Sequence, residues 1–240
     1  MIGRSEVIIF LGPPGAGKGT QAGRIASMLG VPAISTGEML REECRSGSEL
    51  GEAVSKIIAS GKLVSDGVVN QIVSKRLERP DCETGCILDG YPRTVEQARF
   101  LDRLLRKRGV APPTVIDFDV DCQAILARLG GRRQCVKCGK IFSFGQAAGS
   151  VQLFCDLDGN PLVTREDDSQ EVVGERLRVY ARSTLPLVRY YRQRKYHRIQ
   201  AVKEPEAVTA EILSLLSAGR RPVRRTPANR RLTFAAGLHA

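Results

Sequence analysis

The run Gly-Pro-Pro-Gly-Ala-Gly-Lys-Gly-Thr-Gln at 12–21 constrains this chain more than any other feature. It follows the apolar stretch Val-Ile-Ile-Phe-Leu at 7–11 and precedes a helix-like pattern at 22–29. Together these read as a buried strand, a glycine-rich turn and a helix. In such a turn several main-chain N–H groups point into one concavity, and the helix adds the positive end of its dipole, so the place is a phosphate clamp. Its expected contacts are Gly15, Ala16, Gly17, Lys18, Gly19 and Thr20, with Lys18 as a mobile cation for the outer phosphates. Glycines at 12, 15, 17 and 19 are expected because a Cβ facing a triphosphate would block close approach of the main chain. An ordinary glycine-rich surface loop accounts for neither the lysine nor the strand-before-helix context. Where the pattern G-x-x-x-x-G-K-[ST] has a hydroxyl for magnesium, this chain has Gly19, with Thr20 one place later. Magnesium is therefore expected to rest on nucleotide oxygens and water, with a carboxylate elsewhere holding its waters. That points towards small phosphotransferases and away from switch-type GTPases.

Strand-like runs recur at 33–35, 85–88, 115–120 and 198–201, separated by helical patterns such as 95–108 and 207–216. This alternation predicts an α/β fold, a parallel sheet with helices on both faces and the clamp at the end of its first strand. With 240 residues, 42% of them apolar, one such domain with insertions fits better than two domains. Two segments stand apart from the sheet. Residues 36–62 are helix-like. Residues 131–168 are rich in glycine and cysteine, with β-like pieces at 140–142 and 151–154. The Gly130-Gly131 pair before the second segment has the freedom of a hinge, or makes an ordinary turn. No run approaches the roughly 18 apolar residues of a membrane span, and the chain enters its first strand without a cleavable leader, so a cytoplasmic protein is expected.

Seven cysteines in a chain of this length do not make a secreted disulfide framework, and their spacing is read for metal first. Cys135-x2-Cys138 is followed by Cys155-Asp156-Leu157-Asp158. The two halves match in spacing if Asp158 is the fourth ligand. Three thiolates and a carboxylate then form a tetrahedral set that suits a structural zinc, with Asp156 as the alternative ligand and a metal-free segment as the plain one. Cys86 falls in a predicted buried strand, where a thiol is simply a small apolar group. The net charge of +11 is uneven: residues 219–240 carry six arginines and no acid, and eleven less six leaves +5 for the rest. The tail has no apolar periodicity and reads as a solvated, disordered extension, with contact to nucleic acid or an anionic surface as the alternative.

Five motifs in order, GPPGAGKGTQ at 12–21, STGEMLR at 35–41, LDGYPRT at 88–94, RLGGRR at 128–133 and TREDDSQEVVGERL at 164–177, resemble the bacterial long-lid form of adenylate kinase. The resemblance runs from 5 to about 216. It implies transfer of the ATP γ-phosphoryl group to AMP, giving two ADP, with magnesium on the ATP, zinc in the lid and a monomeric chain. It implies a core at 1–35, 63–130 and 169–218, an AMP-binding insertion at 36–62 and a lid at 131–168. By the same resemblance Arg41 and Arg93 hold the AMP phosphate, while Thr36, main chain at Lys62, Leu63 and Val64, the turn Gly90-Tyr91-Pro92, and Gln97 on the adenine edge complete that pocket. Arg128 and Arg132 serve ATP, Ile141 and Phe142 pack near its base, and Lys203 offers main chain to its adenine. Arg165 and Arg176 close on the two phosphoryl groups, and Asp89 is the magnesium carboxylate. Glu38 and Tyr91 stand where Asp and Phe are commoner.

The chemistry fits the composition. Phosphoryl transfer between nucleotides needs neutralisation and alignment rather than a protein nucleophile. Only His197 and His239 are present, neither in a motif, while arginine recurs in every motif after the first. The nearest rival is a UMP- or CMP-directed kinase of the same group. A nucleic-acid-binding zinc-ribbon protein is the rival of another class, favoured by the basic charge, but it leaves the clamp and the ordered arginines unexplained.

Overall fold

The computed structural model describes residues 6–144 and 153–218. The tail 219–240, and the 151–152 end of one predicted β piece, lie outside the described residues. Along the chain, β1 (Glu6–Leu11) runs through the clamp into α1 (Lys18–Leu29), then β2 (Ala33–Ser35), α2 (Thr36–Arg45) and α3 (Glu49–Ala59). Ser35 and Ser48 begin these last two helices by accepting Glu38 N–H and Gly51 N–H, each filling one of the donors a helix start leaves open. Next come α4 (Asp66–Leu77), β3 (Gly85–Asp89), α5 (Val95–Lys107), β4 (Thr114–Asp119) and α6 (Cys122–Gly130). The second inserted segment supplies β5 (Arg132–Cys135), β6 (Ile141–Ser143) and β7 (Leu162–Val163). The chain returns through α7 (Gln170–Val179), a π-helical turn at Tyr180–Thr184, α8 (Pro186–Tyr191), β8 (Tyr196–Gln200) and α9 (Pro205–Ala218).

The five parallel strands lie in the order β2-β3-β1-β4-β8. β1 is central, with Ile9 facing Leu88 on one side and Val115 on the other. Val7, Ile9 and Leu11 pack on one face with Leu101 of α5 and Leu187 of α8. Ile8 and Phe10 pack on the other with Ile25 of α1 and Ile212 of α9. Burial on both faces is why 7–11 is an unbroken apolar run rather than an alternating one. The strand at 198–201 begins earlier than its apolar residues indicate, because Tyr196 and His197 pair with Val115 and Ile116 at the sheet edge. A separate antiparallel sheet, β6-β5-β7, stands outside the core. Of the predicted 151–154 piece, Phe154 makes only an isolated bridge to Pro161. Gly130 ends α6 and Gly131 caps it with φ −87°, so the pair is an ordinary turn that uses no glycine-only conformation. No helix among the described residues is long and apolar enough to cross a membrane.

Candidate functional site: a phosphate clamp facing an arginine-lined cavity

The strand order reverses at β1, whose neighbours β3 and β4 run off to opposite sides. The crevice at the carboxyl ends of strands around such a reversal is where open α/β sheets bind ligands, and the 12–21 loop fills it. Lys18 lies over the loop, donating to the carbonyls of Gly12 and Pro13 at 2.7 Å each. Burial lowers its pKa to about 8, with Asp89 opposing the fall and Arg93, Arg176 and Arg132 adding to it. At two of the four glycines the structure supplies a reason other than the one expected. A Cβ at Gly12 would stand 2.9 Å from the Phe118 carbonyl, and one at Gly15 would stand 3.0 Å from the Leu129 side chain. Both positions let the loop pack down on β4 and α6, rather than leaving room for phosphate. At Gly19 a Cβ would come within 3.3 Å of Asp89 Oδ2, which places the expected magnesium carboxylate against the clamp.

Arginines gather opposite, four of them held by acids. Asp168, its side chain fully buried, receives Arg132 Nε at 2.6 Å and Arg176 at 3.1 Å, and Arg176 also meets Asp167 at 3.0 Å. Glu38 on α2 receives both Arg41, at 2.6 Å, and Arg165, at 2.9 Å. The second of these bonds joins the first inserted segment to the end of the second. Burial and then the neighbouring cations depress Arg165, to about 10, and likewise Arg93 and Arg176. Such mutual repulsion among arginines is relieved by a multiply charged anion. Asp167 and Asp168 had no assigned role in the sequence. The signal for them was the acidic run Glu166-Asp167-Asp168 directly after Arg165.

Between α2, α3 and the sheet lies a cavity of about 70 Å³, bordered by Thr36, Arg41, Lys62, Leu63, Val64, Gly90, Arg93, Gln97 and Arg176. Arg93 is tied to Gly90 O at 2.9 Å, and its carbonyl accepts Thr184 Oγ1 at 3.0 Å from the π-helical turn. Arg41 Nε is buried with no hydrogen-bond partner, an unmet donor on the wall of the cavity.

Tyr91 and Pro92 do not border the cavity. Tyr91 is fully buried, its hydroxyl donating to Asn70 Oδ1 at 2.6 Å, so it braces the wall from behind. Arg128 lies under the clamp with its guanidinium on Ala201 O at 2.7 Å and Ala16 O at 3.4 Å. Lys203 sits in the turn after β8, its ammonium on Glu211 at 2.9 Å. Phe142 packs into the small core of the β5–β7 sheet and stacks on Phe144, while Ile141 is exposed.

In that sheet the donor atoms of Cys135, Cys138, Cys155 and Asp158 all lie within 4.8 Å of one another. Three soft sulfurs and one carboxylate oxygen at this spacing fit a tetrahedral zinc. Asp156 points elsewhere, to Lys140 Nζ at 2.7 Å on the surface.

A parallel sheet with a glycine-rich clamp at its reversal point, facing a cavity of paired arginines between two inserted segments, defines a nucleotide-handling protein of the P-loop type. A family model described as adenylate kinase matches residues 10–196. Proteins named adenylate kinase from Thermosipho melanesiensis and Archaeoglobus fulgidus are each 44% identical over 210 residues, covering 87% of this chain and 98% and 97% of theirs. One from Anaeromyxobacter sp. (strain K) is 45% identical over 205 residues, covering 85% and 96%. The chain belongs to the adenylate kinase family.

Proposed function

We propose that this chain transfers the γ-phosphoryl group of ATP to AMP, giving two ADP, with the clamp holding ATP and the cavity holding AMP. The observation that carries the reading is the buried, unpartnered Arg41 Nε beside Arg93 on the cavity wall. An orphan charged donor is costly unless a ligand meets it, and a phosphate monoester offers arginine two oxygens at once. The main chain at 62–64 and Gly90, with Thr36 and Gln97, surrounds the nucleoside. Lys18 and residues 15–20 hold the ATP phosphates, joined by Arg132, and Arg128 supports the loop beneath them.

Catalysis in this reading is alignment and charge. The AMP phosphate is already anionic, so no base is required, and Lys18, Arg93, Arg165 and Arg176 stabilise charge as the phosphoryl group passes to the acceptor oxygen and negative charge develops on the ATP bridge oxygen that it leaves. Asp89 would hold the waters of magnesium, which when bound neutralises charge on the ATP phosphates. Cys135, Cys138, Cys155 and Asp158 would hold a structural zinc. Residues 36–62 and 131–168 act as two closing segments on a core of 1–35, 63–130 and 169–218. The cavity is well below the roughly 300 Å³ of an ordinary ligand pocket, so the two segments part to admit the nucleotide. Their return excludes water, the competing acceptor.

The test is ADP formation from Mg-ATP with AMP, CMP, UMP or GMP as acceptor. AMP should exceed the others by at least a hundredfold in kcat/KM, and comparable rates with UMP or CMP would replace this reading with the pyrimidine one.

A further inference from the structure

Gln97 borders the cavity, yet its amide is already engaged behind the wall. Its Oε1 accepts Arg93 N–H at 2.7 Å, and its Nε2 donates to Asp66 Oδ1 at 2.8 Å. Asp66 opens α4, and its other oxygen accepts Thr94 Oγ1 at 2.8 Å, the hydroxyl that caps α5 by receiving Gln97 N–H. A main-chain N–H can only donate and an ionised carboxylate can only accept. These two neighbours leave the amide one orientation. Turned over, it would set Nε2 against the Arg93 N–H and Oε1 against the Asp66 carboxylate, two buried mismatches, one of them with a charge.

Each end of the amide keeps one valence: a lone pair on Oε1 and a hydrogen on Nε2. A 6-aminopurine presents an amino donor beside the N1 acceptor, which this pair meets. A 6-oxopurine presents an oxygen beside an N1–H, the inverse order, and would need the amide turned over.

We propose that Asp66 is the specificity-determining positioning residue of the acceptor site: by fixing which end of Gln97 donates, it makes the cavity take a 6-aminopurine nucleotide and refuse a 6-oxopurine one. This rests on the reading of the cavity as the AMP site. Asp66 touches no substrate. It acts by repulsion of the wrong amide orientation as much as by attraction of the right one.

The experiment compares kcat/KM for AMP and for inosine monophosphate, which differ only at this edge, in the wild-type chain, Asp66→Asn and Gln97→Leu. An asparagine can face either end of the amide, which removes the charged mismatch and leaves the Arg93 N–H as the one remaining constraint on its orientation. Asp66→Asn should therefore lose a few-fold with AMP, gain with inosine monophosphate and narrow the ratio at least tenfold. Gln97→Leu should also collapse the ratio. Equilibrium titration with both nucleotides should reproduce the narrowing. Asp66→Ser, whose hydroxyl also donates or accepts, is read in the same way if the asparagine variant does not fold. A purely structural role for Asp66 at the α4–α5 junction would lower both acceptors alike. An unchanged ratio in the Asp66 variants, with a collapsed one in Gln97→Leu, overturns this inference alone. An unchanged ratio in Gln97→Leu overturns it together with the assignment of the base to the cavity.

Discussion

The wall of the cavity and the three-stranded insertion both border the arginine cluster, but different forces hold them. Behind the wall, eighteen buried residues from the sheet, α3, α4, α5 and α8 form one apolar core, with Tyr91 and Tyr191 among them. The insertion buries three apolar residues among those described, Cys135, Cys155 and Leu162, and two of these are candidate metal ligands. Val136, Phe154, Leu157 and Val163 remain exposed on it. A wall with its own core keeps its shape when a functional group is removed. A sheet with so little to bury depends on what its thiols hold.

The largest expected effect separates chemistry from fold on the wall side. Lys18→Met should lower kcat by about 10²–10³-fold or more, as loss of a donor aimed at transition-state charge does. The melting temperature should not fall, because a desolvated cation is replaced by an apolar chain of similar length. Near-normal turnover would remove Lys18 from the reaction. A large drop in melting temperature would mean that the wall, too, depends on its functional groups.

The complementary change should strike stability first. Purified protein should carry about one zinc per chain, and Cys138→Ser and Asp158→Ala should each weaken its retention and lower the melting temperature on the order of 5 °C. Asp156→Ala, which only frees the surface Lys140 pair, should keep the metal. Retention in Asp158→Ala with loss in Asp156→Ala would exchange the two aspartates. Substoichiometric metal under zinc-replete conditions would remove the distinction between the two regions.

A smaller effect comes from protons. Lys18 sits near 8 in the folded chain against an ordinary 10.5. Across that window the unfolded state binds more protons, so this residue's contribution makes stability rise with pH. Phosphates restore the charged form. ATP binding near pH 9 should therefore take up close to one proton, and affinity should fall as pH rises from 8 towards 10. Calorimetry in buffers of different ionisation enthalpy measures the uptake, which Lys18→Met should abolish. Equal uptake in that variant would place the titrating group elsewhere.

Much of this was legible in the sequence. The unbroken run at 7–11, the Gly-Lys-Gly-Thr turn and the cysteine spacing each report a local demand, and local demands are written in consecutive residues. Distant demands were not. The glycines at 12 and 15 looked like room for phosphate, but Phe118 and Leu129, a hundred and more positions away, are what they accommodate. Arg128, expected on ATP, has the Ala16 and Ala201 carbonyls as its protein partners, and no spacing in the sequence names these, because pattern gives a residue type but not its partners. Asp66, Asp167 and Asp168 drew no notice, since an acid that steadies an amide or an arginine has no spacing of its own to betray it.

The central claim, that clamp and cavity act as one site passing phosphate from nucleotide to nucleotide, is tested most directly by ³¹P NMR of Mg-ATP and AMP with catalytic amounts of the protein. ATP and AMP should disappear in equal amounts, with two ADP appearing for each pair and no inorganic phosphate signal growing on that timescale. ADP formed together with inorganic phosphate, while AMP stays constant, would contradict it: the clamp would then cleave ATP to water, and the arginine-lined cavity would have no part in the reaction.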